Sequence, residues 1–346
     1  MHISKLQIKL RRSACLISVL MMQVSAMAIE KPIYPKPLAE GDSVAIISPA
    51  YVIKPEHVYG EMEVLQDQGW RPLASEAVFA RYGSFAGDIP TRIEDLRQAW
   101  ESPDIRALFC SRGGYGVVHL LDEWSKMSFA DPKWVSGFSD ITAMHSLLTT
   151  KGIVSIHSCN ASWVSQLNSA DSLSQKHIGA QELLNILRGG GVDISIEADT
   201  LNVKGDAEGM LVGGNLSVLA GLIGTPYDVI RPGVVLFIED VDEPIYKIER
   251  ILYQLKLRGV LQRLAGLVVG QFTGYTVNKD HNKEFASMYT MIHSMTAEYG
   301  YPVAFDFPVG HSDKNRPVLC GARVQLHVGD DGVRLRQPGA LDKGQR

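Results

Sequence analysis

The stretch WVSGFSDITAMHSLLTTKG, Trp134 to Gly152, changes its periodicity in the middle. Trp134-Val135-Ser136-Gly137-Phe138 reads as a short apolar strand, and from Asp140 onward the apolar positions recur at helical spacing until Lys151-Gly152 can close the helix. A strand that turns at once into a helix is half of a βαβ unit. Working outward, IRALFC at 105–110 is strand-like and VVHLLDEW at 117–124 helical. Further upstream, SVAIIS at 43–48 is strand-like and PEHVYGEMEVLQDQG at 55–69 is helical, ending at Gly69. Alternation of this kind predicts an α/β fold whose parallel sheet is covered on both faces. In such sheets ligands bind at the C-terminal edge of the strands, where both Ser111–Gly116 and Ser139 fall.

Downstream of Asn168 the sequence turns polar and glycine-rich around one helical stretch, QKHIGAQELLNILRGGG, up to Asp206. Residues 168–206 are expected to link a nucleophile-bearing domain, 29–167, to a second domain, 207–346. The second domain has a buried strand GVVLFIED and a helix with Ile245, Ile248, Leu252 and Leu255 on one face, closed by Gly259. A further strand AGLVVGQF and the late β-like pair ARVQLHVG and GVRLRQ make it a β-rich α+β unit.

The 346 residues carry a hydrophobic fraction of 45%, enough for two cores. The formal net charge of -4 and a pI near 6.2 give no basic field for nucleic acid or anionic lipid. Residues 1–28 read as a secretory signal peptide: Lys5, Lys9, Arg11 and Arg12, then the apolar SACLISVLMMQV, then Ala26-Met27-Ala28 as a small-x-small cleavage site. The apolar run is shorter than the roughly 20 residues of a spanning helix. The expectation is a periplasmic or exported protein with no stable membrane insertion. Past the signal stand Cys110, Cys159 and Cys320, an odd number without a CxxC pair, which argues for buried free thiols and against a disulfide framework or a zinc site.

Ser139 at a tight strand-to-helix turn has the setting of a nucleophile elbow, in which the next backbone N–H points at a developing oxyanion. Ile141 stands where the G-x-S-x-G motif wants glycine, and Ser139 with Asp140 reads equally as a helix cap. SRGGYG, Ser111 to Gly116, offers close backbone approach and a second oxyanion donor but lacks the ending of a phosphate loop. A serine nucleophile needs a base and an orienting acid. His311 in the polar loop FPVGHSDKN is the candidate base. His145 and His119 sit on helices and read as packing or surface residues. Glu239 ends the apolar run VVLFI and is a candidate acid or a salt-bridge partner, for instance of Arg250, with Asp240 as the neighbouring alternative.

Six stretches in register resemble the LD-carboxypeptidase family of serine peptidases, which includes the microcin C self-immunity peptidases: GDSVAIISPA, RGGYG, GFSD-x-TA, GGNLSVLAGLIGTP, LFIEDVDEPIYKIER and PVGH. The resemblance covers nearly the whole chain after residue 28. It implies a Rossmann-like N-terminal domain carrying the nucleophile Ser139, and a C-terminal domain bringing the acid Glu239 and the base His311 across a cleft. The oxyanion donors map to the amides of Asp140 and of Gly113 or Gly114. The implied activity is release of terminal D-alanine from murein tetrapeptides by a homodimer that needs no metal or organic cofactor. SIHSCNAS, 155–162, departs from the family by placing Ser158-Cys159 where members often have Gly-Pro, a stretch expected to border the cleft. The alternatives are a peptidyl-nucleotide amidase, a non-catalytic wall-peptide binder on the same scaffold, a general esterase, and a cysteine transpeptidase using Cys159.

Overall fold

A computed structural model describes residues 31–168, 174–275, 277 and 284–342. The signal-peptide reading of residues 1–28 lies outside the described residues. Strands β1 (Ser43–Ile47), β2 (Arg71–Ala74), β3 (Ile105–Cys110), β4 (Trp134–Gly137) and β5 (Ser155–His157) form a parallel sheet in the order β5-β4-β3-β1-β2. The inner strands are almost wholly buried, as their unbroken apolar runs require when helices cover both faces. Helix α1 (Pro55–Asp67) opens on proline, whose missing N–H is no loss in a first turn, and it is closed by Gly69 at φ +84°. Helix α2 (Ile89–Glu101) is capped by the Asp88 carboxylate, which accepts from Thr91 N–H at 2.9 Å. After the short α3 (Leu121–Trp124) and β4 comes α4 (Thr142–Thr150), nearly all of whose residues are buried.

Past α5 (Ala161–Val164), the bridging stretch is itself packed structure. Helix α6 (Gln175–Leu187) buries Ala180, Leu183, Leu184, Ile186 and Leu187, and β6 (Val192–Ile196) is the edge strand of a second sheet. That sheet also holds β7 (Gly205–Asn215), β8 (Val235–Val241) and β9 (Gly266–Thr273), with β10 (Val303–Ala304), β12 (Arg323–Gly329) and β13 (Gly332–Gln337). Its order is β10-β9-β8-β7-β12-β13-β6, parallel from β10 to β7 and antiparallel from β7 to β6. Helix α7 (Leu216–Leu222) follows β7, α8 (Ile245–Leu257) follows β8, and α9 (Met288–Thr296) precedes β10. In α8 the side chains of Ile245, Ile248, Leu252 and Leu255 are fully buried, the face that the 3.6-residue spacing predicts.

The two sheets are tied together. Strand β11 (Val318–Cys320) comes from the C-terminal half yet pairs antiparallel with β5, with Val318 opposite His157. One hydrophobic core runs through both halves, joining Trp134 and Ile156 of the first sheet to Phe237 and Val268 of the second. Helix α4 packs on β7 and α7, and Thr142 Oγ1 accepts from Asn215 N–H at 3.0 Å. The end of β4 and the end of β8 therefore face each other across a fixed, shared core.

Candidate active site

At the end of β4 the chain must turn hard. A Cβ on Gly137 would lie 3.0 Å from Cys110 Cβ and from Ile141 Cγ1. Phe138 is extended, and Ser139 then takes φ +65°, a conformation that L-residues other than Asn and Asp rarely adopt. A 3₁₀ turn, Ser139–Ile141, leads into α4. Ser139 makes no capping bond to the helix amides. The left-handed backbone instead turns its hydroxyl outward, where Oγ–H meets His311 Nε2 at 3.0 Å.

His311 reaches this point from a loop beside β9. Gly310 bridges Gln271, Gly310 N–H donates to Asn315 Oδ1 at 2.9 Å, and Thr273 Oγ1 donates to the carbonyl of His311 at 3.1 Å. Gly310 has φ +118°, and a Cβ there would strike Glu239 Cβ at 2.7 Å, so only glycine lets the imidazole sit this close to the acid. Nδ1–H of His311 donates to Glu239 Oε2 at 2.6 Å. With the proton held on Nδ1 by a carboxylate, Nε2 is left as the acceptor facing Ser139. The ring of Phe138 covers the imidazole at 4.9 Å between centroids.

Glu239 is completely buried near the end of β8, and among the described residues its Oε1 has no hydrogen-bond partner. Burial pushes its carboxyl upward from the usual range, while the bond to His311 opposes that rise. For His311, burial works against the charged imidazolium, but the bond and the charge of Glu239, with Asp240 and Asp242 behind it, outweigh burial and raise its pKa. The pair is thus set to take up a proton on imidazole. Arg250 lies over the Tyr246 ring and is not Glu239's partner. Asp240 points elsewhere: it accepts from Asn215 Nδ2 at 2.8 Å and from Ser217 N–H and Oγ–H at 2.9 and 2.8 Å.

Gly113 lies against the serine, since a Cβ there would be 2.7 Å from Ser139 Cβ. Gly114, at φ +119°, passes so close to Tyr51 that a Cβ would meet its ring at 2.4 Å. Among the described residues no acceptor takes the N–H of Gly113 or of Gly114. Beside them opens a cleft of about 420 Å³ lined by Gly114, Tyr115, Ser139, Asn215, Val218 and Glu243, among others. Asn215 and Ser217 were not singled out from the residues alone; their only signal was the stretch GGNLS.

Two descriptions of one family match the chain. The family description "LD-carboxypeptidase N-terminal domain" matches residues 44–158 and "LD-carboxypeptidase C-terminal domain" matches 208–326. The chain belongs to the LD-carboxypeptidase family. It is 32% identical over 300 residues to the murein tetrapeptide carboxypeptidase of Pseudomonas aeruginosa, covering 85% of this chain and 94% of that one. Among solved structures, the muramoyltetrapeptide carboxypeptidase of Oxalobacter formigenes superposes with a TM-score of 0.74 at 26% identity, over 86% of this chain and 98% of its own. The microcin C7 self-immunity protein MccF, in complex with glutamyl sulfamoyl guanosine, shares the fold with a TM-score of 0.76 at 20% identity, over 90% and 100%. The protein is thus a hydrolase of the carboxypeptidase type.

Within this LD-carboxypeptidase several other candidates take structural places. Ser158 and Cys159, expected at the cleft, are buried beside β4, where Ser158 Oγ bonds Ser136 Oγ at 2.7 Å. The reason is register: the residues just past the short β5 stay covered by the shared core instead of emerging with the serine. Burial drives the Cys159 thiol far up, away from nucleophilic thiolate. Cys110 and Cys320 are also buried free thiols. His145 is buried and binds Ser155 Oγ and the carbonyl of Gly137, both at 2.9 Å, bracing the turn before Ser139. His119 lies beside Arg92 at 3.3 Å. Arg112 is exposed and donates to the carbonyl of Val52.

Proposed function

We propose that this enzyme hydrolyses the amide between an L-configured centre and a terminal D-amino acid, releasing D-alanine from murein tetrapeptides. The observation that carries the reading is the unbroken hydrogen-bonded line from Ser139 through His311 to buried Glu239, at the mouth of a cleft beside unengaged glycine amides. Ser139 Oγ attacks the scissile carbonyl while Nε2 of His311 takes its proton. Glu239 holds the Nδ1 tautomer and stabilises the imidazolium. The amides of Asp140 and of Gly113 or Gly114 receive the oxyanion. Collapse expels the amine of D-alanine, protonated by His311, and water attacking the acyl-enzyme with His311 as base restores Ser139. The relative from Pseudomonas aeruginosa, named for murein tetrapeptide cleavage, supports this substrate class. The basic and apolar residues 1–28 support export, which places the activity beside the wall, and the family resemblance supports a homodimer.

The test is to incubate the purified protein with L-Ala-γ-D-Glu-meso-diaminopimelate-D-Ala and follow free D-alanine by mass spectrometry. D-alanine with an intact tripeptide is expected. Binding without turnover, or cleavage of a peptidyl-nucleotide in its place, overturns the reading.

The state of His311 fixes the pH dependence. Only the neutral imidazole accepts the serine proton, and its pKa is raised. Activity should therefore fall as pH falls through a value above the ordinary one for imidazole, about tenfold per pH unit once below it. A kcat/KM profile measured from about pH 5 to about pH 9 checks this. A flat acid side contradicts His311 as the base.

A further inference from the structure

Behind the glycine loop lie two buried, oppositely charged side chains that the proposed chemistry does not use. Arg92 on α2 is 3% exposed and Asp140 is 4% exposed. Arg92 Nη1 donates to the carbonyls of Gly116 and Pro49 at 2.9 and 2.6 Å. Asp140 Oδ2 accepts from Val117 N–H at 2.8 Å. The carbonyl of Gly116 and the N–H of Val117 belong to one peptide unit. Its negative end is therefore held by a guanidinium and its positive end by a carboxylate, each charge matched to the end of the dipole it touches.

The surroundings leave this peptide little other freedom. Gly116 has φ +121°, and a Cβ there would meet Arg92 Nη1 at 2.8 Å and the Phe85 ring at 2.9 Å. The Arg92 guanidinium carbon is itself 5.1 Å from the centre of that ring. Just upstream run Gly113 and Gly114, one of them packed on Ser139 and the other on Tyr51. Asp140 follows Ser139 directly, so the residue whose backbone N–H is one oxyanion donor also grips, through its side chain, the loop that supplies the other.

We propose that Asp140 and Arg92 are positioning residues that set the spacing between the two oxyanion donors by clamping the Gly116–Val117 peptide. The inference rests on the serine-hydrolase reading above. Both side chains act through the peptide that they hold. Their effect is confined to the tetrahedral state, because donors aimed at where charge develops bind that state more tightly than the planar amide.

The test compares Asp140→Ala, Asp140→Asn and Arg92→Met in the full chain. Two probes are used besides the tetrapeptide. One is the tripeptide product, a ground-state ligand. The other is the same tripeptide with boronic acid replacing its terminal carboxyl; its boron accepts an electron pair from Ser139 Oγ as the hydroxyl proton passes to His311. Asp140→Ala and Arg92→Met are expected to lower kcat by about 10²–10³ with KM within about twofold, and to weaken boronate binding by a similar factor while tripeptide binding holds. Asn can still accept from Val117 N–H, so Asp140→Asn should recover at least about tenfold over Asp140→Ala. Leu252→Ala, on the buried face of α8, serves as the control for destabilisation: it should lower Tm and leave kcat per folded molecule unchanged.

Retention of kcat within about threefold in folded Asp140→Ala or Arg92→Met overturns the clamp, as does equal weakening of boronate and tripeptide. Should one variant not fold, the other reads the same peptide from its opposite end. A wild-type protein that neither releases D-alanine nor binds the boronate overturns the catalytic reading itself. An active wild type with active variants removes only the positioning role.

Discussion

Ser139→Ala is expected to lower D-alanine release by about 10⁴–10⁶ while leaving the protein folded and the tripeptide bound. The size follows from what is lost. Without Oγ there is no acyl-enzyme, and water has no fixed place beside His311 Nε2, so what remains is the polarising effect of the oxyanion amides and of binding. Stability should change little, because among the described residues the hydroxyl bonds only His311, at a half-buried position, and both serine and alanine carry the strain of φ +65°. The paired variant is Cys159→Ala. Its thiol is buried and held protonated, so activity should stay close to wild type. Steady-state release of D-alanine, with circular dichroism as the check on folding, decides the matter. Loss with the cysteine change and retention with the serine change would reverse the assignment of the nucleophile.

The alternation of strand and helix from Ser43 to Gly152 was legible because parallel strands buried on both faces must be apolar along their whole length, and their helices must show a 3.6-residue stripe. The amphipathic face of α8 was legible for the same reason. What escaped reading depended on partners distant in sequence. β6 alternates buried and exposed residues over only five positions, and its flanks are rich in glycine, so nothing local marks it as an edge strand. β11 has three residues, and its pairing with β5 joins positions about 160 apart, which no local period encodes.

The site divides along the same line. Residues at the junctions of elements, Ser139 after β4 and Glu239 at the end of β8, stand out where an apolar run gives way to a polar group. His311 stood out only as a histidine after glycine in a polar loop. Arg92 gave no signal at all. It lies in a helix where two of the other charged residues, Glu94 and Arg97, pair on the solvent side, and only the fold turns it inward to Gly116. Ser158-Cys159 erred the other way: a conspicuous pair of reactive types that the core simply covers.

Glu239→Gln should lower kcat by about 10⁴ with little change in KM, and without loss of stability. Glutamine is nearly isosteric with glutamate, so packing against Gly310 and β8 survives. What changes is the proton inventory. The carboxylate can only accept from His311 Nδ1, which fixes the proton there and leaves Nε2 free to accept from Ser139. An amide can also donate. Once its NH₂ faces Nδ1 the imidazole proton moves to Nε2, and the base is lost. The negative charge that stabilises the imidazolium in the transition state disappears as well. Because Glu239, through its hydrogen bond and then its charge, is the main influence raising the His311 pKa against burial, the acid limb of whatever activity remains should move to lower pH. Stability points the other way from activity: burial already opposes ionisation of Glu239, whose Oε1 is unpartnered, so a neutral amide removes a desolvation penalty and Tm should hold or rise. That combination, a folded protein of undiminished Tm that binds substrate normally and turns over about ten thousand times more slowly, separates an orienting acid from a structural one. A variant that kept kcat within about tenfold of wild type would leave His311 oriented by its loop alone and remove Glu239 from the chemistry.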